Sequence, residues 1–132
     1  MLSSHARTME TAMKASAPIP ILRSLDEAKA REFYIDFLGF EITFEHRFEP
    51  GTPLYMGLRL GDCELHLSEH FSDSTPGVAI RVEVDGLEDY CAKLNAKNYR
   101  HARPGILEQT WGMREMPISD PVGNKIIFCC GM

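Results

Sequence analysis

The chain has 132 residues, a formal net charge of −5, 44% hydrophobic and 25% charged residues. These values fit one domain that buries a core without disulfide or metal staples, and they exclude disordered and fibrous classes. The acidic balance argues against nucleic acid, whose phosphates demand a basic stripe, and suits a cationic ligand.

Met1 to Ala17 lacks the apolar centre of a signal peptide and reads as a flexible extension, or as the product of an upstream start codon. No apolar run long enough to span a membrane follows, so the cytoplasm is the expected location. Pro18 to Arg23 reads as a short strand. Asp26 then stands as an N-cap before Ala28, Ala30, Phe33, Tyr34, Phe37 and Leu38, whose spacing predicts an amphipathic helix that Gly39 terminates.

From Phe40 the period becomes two, with Ile42, Phe44, His46 and Phe48 on one face of a half-buried strand. Phe44 shares the phase of Ile42 and reads as core, and His46 in the same phase reads as a hydrogen-bonded core histidine or a pocket liner. Pro50 to Pro53 breaks the strand, Leu54 to Leu60 forms the next, Gly61-Asp62 turns, and Cys63 to Glu69 completes a meander. A polar loop, Ser72 to Gly77, separates this half from the second.

The second half repeats the first: strand Val78 to Val84, Asp85, a helix through Leu87, Tyr90 and Leu94, then candidate strands at 103–107, 111–118 and 125–130. Asp85 follows Asp26 by 59 residues, and Asn98 stands where Gly39 stood, the residue types that best tolerate a left-handed helix end. A repeat this long, present twice, predicts an α+β domain of two pseudo-symmetric βαβββ modules, 18–71 and 77–130, within a single domain 18–132. Each curled antiparallel sheet would cover its helix with one face and offer the other, concave face to a ligand. Asp120-Pro121-Val122-Gly123-Asn124 reads as the tight turn of the closing hairpin. The cysteines, Cys63, Cys91, Cys129 and Cys130, have no C-x-x-C spacing and predict no disulfide framework. Cys63 and Cys91 read as small buried hydrophobes. No nucleophile elbow, H-E-x-x-H or phosphate loop is present.

Pro20-Ile21-Leu22 through Asp26, Glu32-Phe33-Tyr34, Leu38-Gly39-Phe40, Glu108-Gln109-Thr110-Trp111-Gly112 with Arg114-Glu115, and Asp120 to Asn124 together resemble the vicinal oxygen chelate superfamily. This superfamily holds glyoxalases, dioxygenases and bleomycin resistance proteins. The E-Q-x-W-G stretch resembles the bleomycin-binding branch. The resemblance implies the glyoxalase/bleomycin resistance fold and a homodimer in which two subunits complete two ligand crevices. It also implies metal ligands on the first, fifth and eighth strands of the enzymes. Here Ile19, Ala79 and Ile127 occupy those positions. Hydrocarbon holds no ion, so no metal and no cofactor is expected.

The resemblance assigns Trp111 to drug contact as a stacking platform, against a reading as a core or dimer-packing residue. Phe48 and Tyr55 flank the loop after the second strand and would extend the aromatic wall. His66 and Glu69 lie on the fourth strand, where alternation puts Glu64, His66 and Ser68 on one face and Leu65, Leu67 and Glu69 on the other. Arg81 and Glu83, aimed at the concave face, are either a structural ion pair or polar anchors, and they replace aromatics that bleomycin binders carry. Arg114 completes the ligand-binding set. The expected function is metal-independent sequestration of a bleomycin-type glycopeptide. The alternatives are a glyoxalase-like lyase or dioxygenase with a displaced metal near His66 and Glu69, and a small-molecule binder of other metabolic role.

Overall fold

The computed structural model describes residues 13–131. Of the expected N-terminal extension, residues 1–12 lie outside the described residues, and 13–17 are exposed and irregular. β1 (Ile21–Arg23) leads to α1 (Glu27–Arg31), where the Lys29 amide donates to Asp26 Oδ1 at 3.0 Å, the expected N-cap. Beyond Arg31 the helix widens into a π-helical stretch, Glu32–Phe37, closed by the Leu38 amide bonding back to the Phe33 carbonyl at 2.9 Å. Gly39, at φ 92°, then turns the chain into β2 (Glu41–His46). β3 (Tyr55–Leu60) and β4 (Cys63–Ser68) complete the first module.

The second module has β5 (Ala79–Glu83), α2 (Leu87–Ala96), β6 (Leu107–Glu108), β7 (Met113–Ser119) and β8 (Lys125–Gly131). α2 starts after Gly86 at φ 71°, with no side-chain cap, so Asp85 does not serve as its N-cap. Asn98 takes the left-handed conformation, φ 52°, as its place in the repeat requires. Each module builds a four-stranded sheet, in the orders β1-β4-β3-β2 and β5-β8-β7-β6. The sheets are mixed rather than antiparallel throughout, because β1 joins β4 and β5 joins β8 in parallel. A strand that precedes a helix returns to its sheet by a crossover, which makes it parallel to its neighbour.

Alternation decides what each strand buries. Leu54, Met56, Leu58, Leu65 and Leu67 face α1, and Met116, Ile118, Ile126 and Phe128 face α2; all are buried in one contiguous core. The modules meet through their helices. The Tyr90 hydroxyl donates to the Leu38 carbonyl at 2.6 Å, Phe37 and Tyr99 stack at 4.5 Å, and Lys97 Nζ caps the end of the first helix at the Asp36 and Phe37 carbonyls. This arrangement leaves the outer face of each sheet open.

The closing hairpin ties the modules together. Asp120 Oδ2 accepts the Tyr34 hydroxyl at 2.6 Å, while Asp120 Oδ1 takes the amides of Val122 and Asn124. Asn124 donates to the Arg23 carbonyl of β1, and its own side-chain oxygen accepts the Gly77 and Val78 amides. The turn read from its residue types is thus also a buried polar lock.

Candidate functional site

β2 does not alternate as its sequence predicts. Ile42 pairs with Leu58, yet Phe44 pairs with Gly57, so a bulge at Thr43 inserts one residue. Ile42 stays on the helix side, while Phe44, expected in the core, and His46 move to the outer face opposite Gly57 and Tyr55. The Phe44 ring lies over Gly57, where a Cβ would sit 2.6 Å from its Cδ1. It is 41% exposed, stacks on Tyr55 at 6.0 Å and meets His66 edge-on at 5.2 Å.

Tyr55, His66 and Glu64 lie on this face in register: Gly57 opposes His66, and Arg59 opposes Glu64. The Tyr55 hydroxyl is 2.7 Å from His66 Nδ1, and Glu64 Oε2 is 3.5 Å from Nε2. That second nitrogen is buried without a hydrogen-bond partner. Burial, with the Asp73 carboxylate nearby, pushes the Tyr55 phenol above its usual range. Phe48 lies past the end of β2, 77% exposed, edge-on to His46 and His70. Glu69 departs from the face: its carboxylate accepts the Leu54 amide at 2.9 Å and borders a separate groove with Arg23, Arg47 and Pro53.

On the second sheet, Arg81 Nη1 donates to Glu115 Oε2 at 2.7 Å, and Gln109 Nε2 donates to Oε1 at 3.1 Å. The paired residues Arg81 and Ile127, with Ala79 and Lys125 beside them, show that Ala79, Arg81, Glu83 and Ile127 share this outer face. Glu115, which the sequence reading left out of the site, is 7% exposed and is the charge that holds Arg81. Its hydrogen bond, and then its charge, raise the Arg81 pKa further. Trp111 is not on a strand. It sits in the turn between β6 and β7, where the Gly112 amide donates to the Gln109 carbonyl at 3.2 Å and Gly112 takes φ 84°. Its ring is 64% exposed.

Arg114 falls on the opposite face. It pairs with Cys130, points to the helix side and donates to Glu88 of α2 at 2.7 Å, so it does not join Arg81 and Glu115. The predicted residues therefore divide: Tyr55 and His66 lie on the outer face of the first sheet, with Phe48 past the end of β2; Arg81 and Glu83 lie on that of the second, with Trp111 in the turn before β7; and Glu69 and Arg114 lie on neither.

Ile19, Ala79 and Ile127 give a divalent ion nothing to bind, and among the described residues no group of three or more His, Cys, Asp or Glu gathers to hold one. The metal used by enzymes of this fold does not fit these residues. The thiol of Cys129, beneath Arg81, is pushed up by burial, as is that of Cys63.

The family model described as glyoxalase superfamily protein matches residues 4–132. Among solved structures, a bleomycin resistance determinant encoded on the transposon Tn5 superposes with a TM-score of 0.66 at 22% identity, over 89% of this chain and 98% of its own. A bleomycin-binding protein complexed with bleomycin gives 0.61 at 24% identity, covering 89% and 100%. A glyoxalase family protein from Enterococcus faecalis gives 0.64 at 18% identity, covering 87% and 97%. At these identities the likeness establishes the fold. No curated protein matches the sequence.

Proposed function

Given that the chain belongs to the glyoxalase superfamily, we propose that it is a metal-independent binding protein that sequesters a bleomycin-type glycopeptide or a related cationic aromatic molecule. The observation that carries this reading is the display of aromatic rings on outer faces that also carry acidic groups. Phe44 and Tyr55 form one aromatic surface with His66 and Glu64 on the same face, and Trp111 stands out from the turn before β7, the strand that carries Glu115. Flat rings give stacking area, and nearby carboxylates offset a ligand's positive charge.

A bleomycin-binding protein and a bleomycin resistance determinant share the fold, which supports the drug class. The two faces lie on different sheets, so a ligand crevice that uses both is completed by a second copy. An isologous homodimer sets the first sheet of one subunit against the second sheet of the other. Holding the drug away from DNA in the cytoplasm requires affinity and no chemistry.

The Arg81–Glu115 pair favours a second reading, because it fills with charge the strand on which bleomycin binders carry aromatics: a binder for a smaller polar molecule of other metabolic role. Calorimetric titration with metal-free and copper-loaded bleomycin distinguishes the two. Heat at low micromolar drug, with quenching of Trp111 fluorescence, supports sequestration. No heat and unchanged fluorescence at high micromolar drug would leave the second reading.

A further inference from the structure

We infer that the cleft where the first helix meets the segment after α2 is a second ligand site, which takes a small aromatic carboxylate on the helix side of the sheets. Three parts of the chain build it. Lys29, Glu32 and Phe33 lie three and four residues apart along one face of the first helix. Tyr99, Arg100 and His101 follow the left-handed turn at Asn98, and Ser119 to Pro121 arrive from the end of β7. The cavity between them measures about 300 Å³, at the lower end of the range for small-molecule sites. A second cavity, of about 390 Å³, adjoins it across Glu32, Tyr99 and Arg100 and gives a substituent room to extend.

The floor of the cleft is apolar and fixed. Phe33 is buried, Tyr99 stacks on Phe37 at 4.5 Å and meets His101 edge-on at 5.3 Å, and Pro121 adds its ring. Rings held in place offer a flat molecule contact area at little entropic cost. Charge then selects the sign of the ligand. The chain is acidic overall, yet Lys29 and Arg100 enter no ion pair among the described residues. Asp120 does not serve them, because its oxygens already accept the Tyr34 hydroxyl, the Val122 and Asn124 amides and the Asn124 side chain. Burial, and then the Glu32 carboxylate beside it, push the Tyr99 phenol up to about 12, so it keeps its proton and adds no charge. Arg100 Nε donates to His101 Nε2 at 3.3 Å, which leaves both Nη groups without a protein partner. A guanidinium so placed binds a carboxylate well, Lys29 supplies a second cation at the rim, and Glu32 and the Ser119 hydroxyl remain for a ring hydroxyl. This site shares no residue with the outer faces and does not depend on the function proposed above.

The test is calorimetric titration of the full chain with 4-hydroxybenzoate, beside 4-hydroxybenzyl alcohol, which keeps the ring without the carboxylate, and inorganic phosphate, which is charge without the ring. The expected result is one equivalent of 4-hydroxybenzoate bound with a Kd of about 0.1 mM, at least about tenfold tighter than either control. Arg100→Gln and Lys29→Gln should each weaken it about tenfold. Their urea midpoints should stay where they are, since neither side chain has an ion partner to lose. No heat up to about 10 mM acid, a control that binds as tightly, or an affinity unmoved by Arg100→Gln overturns the site. Displacement of the acid by bleomycin places it on an outer face and overturns the site as well. A chain that binds no bleomycin sinks the sequestration reading and leaves the titration of the acid and its variants fully readable.

Discussion

Asp120→Ala tests the lock between the modules. It removes the acceptor for the Tyr34 hydroxyl at 2.6 Å, the Val122 and Asn124 amides at 3.0 and 2.8 Å, and Asn124 Nδ2 at 2.9 Å. The Val122 amide lies in a part-buried turn and finds water, whereas Tyr34 and Asn124 are 1% and 0% exposed and find none. Each stranded buried donor costs about 1–3 kcal/mol, and breaking this charged network totals about 4 kcal/mol. Unfolding entropy is about 2.1 cal/mol/K per residue, which for 132 residues gives about 0.28 kcal/mol/K and a fall in Tm of about 14 °C. Differential scanning calorimetry and urea unfolding measure it, with an unchanged m value as the sign that the unfolded state is unaltered. Tyr34→Phe alone should cost about 1.5 kcal/mol, and the double variant less than the sum by about 1 kcal/mol, since the phenol is stranded only while it is present. A loss under about 1 kcal/mol for Asp120→Ala, or strict additivity, refutes the lock.

Trp111→Ala and Phe44→Ala should each weaken bleomycin binding about tenfold by calorimetry and leave stability within about 0.5 kcal/mol, because both rings are largely displayed. Gly57→Ala should cost about 1–3 kcal/mol by crowding both the Phe44 ring and the Thr43 hydroxyl; adding Phe44→Ala should recover only part of the loss in urea unfolding, and none of the binding. Burial and the Asp120 charge raise the Tyr34 phenol well above its ordinary 10.0. Below pH 10 both states keep the proton and the contribution is full; above it the unfolded chain ionises first. Stability then falls by about 1.4 kcal/mol per pH unit for this group. Urea midpoints at pH 9, 10 and 11 should drop more steeply for the wild type than for Tyr34→Phe. EDTA should change neither Tm nor bleomycin affinity; a fall in either reveals an ion the apolar positions do not account for.

Local chemistry made much of this fold legible. Asp26, Gly39 and Asn98 mark helix ends by what their own backbones and side chains do, and Asp120 to Asn124 form a turn on residue type alone. The repeat spacing then supplied two modules. What stayed hidden depended on partners. Phe44 was placed in the core because alternation from Ile42 is sound until a bulge intervenes, and the bulge exists only in the pairing of β2 with β3. The parallel return of β1 beside β4 is likewise a property of the assembled sheet. Arg114 is a different failure, since counting by twos from Trp111 reaches Glu115, which does face Arg81. The signal was there in the alternation. Glu69 counts in phase with Leu65 and Leu67, and just past the end of β4 its carboxylate turns to the Leu54 amide.

The extra residue at Thr43 also bears on how members of this family are compared. Side chains that meet a ligand from an edge strand are set by which rung of the ladder they occupy, and one supernumerary residue shifts every later side chain by a face. Two proteins with the same spacing of aromatics along this strand can therefore display opposite sets of them. Equivalent contacts should be matched through the partner strand, here through Gly57 and Tyr55, and a gap placed one residue away in an alignment would exchange a ligand wall for a core.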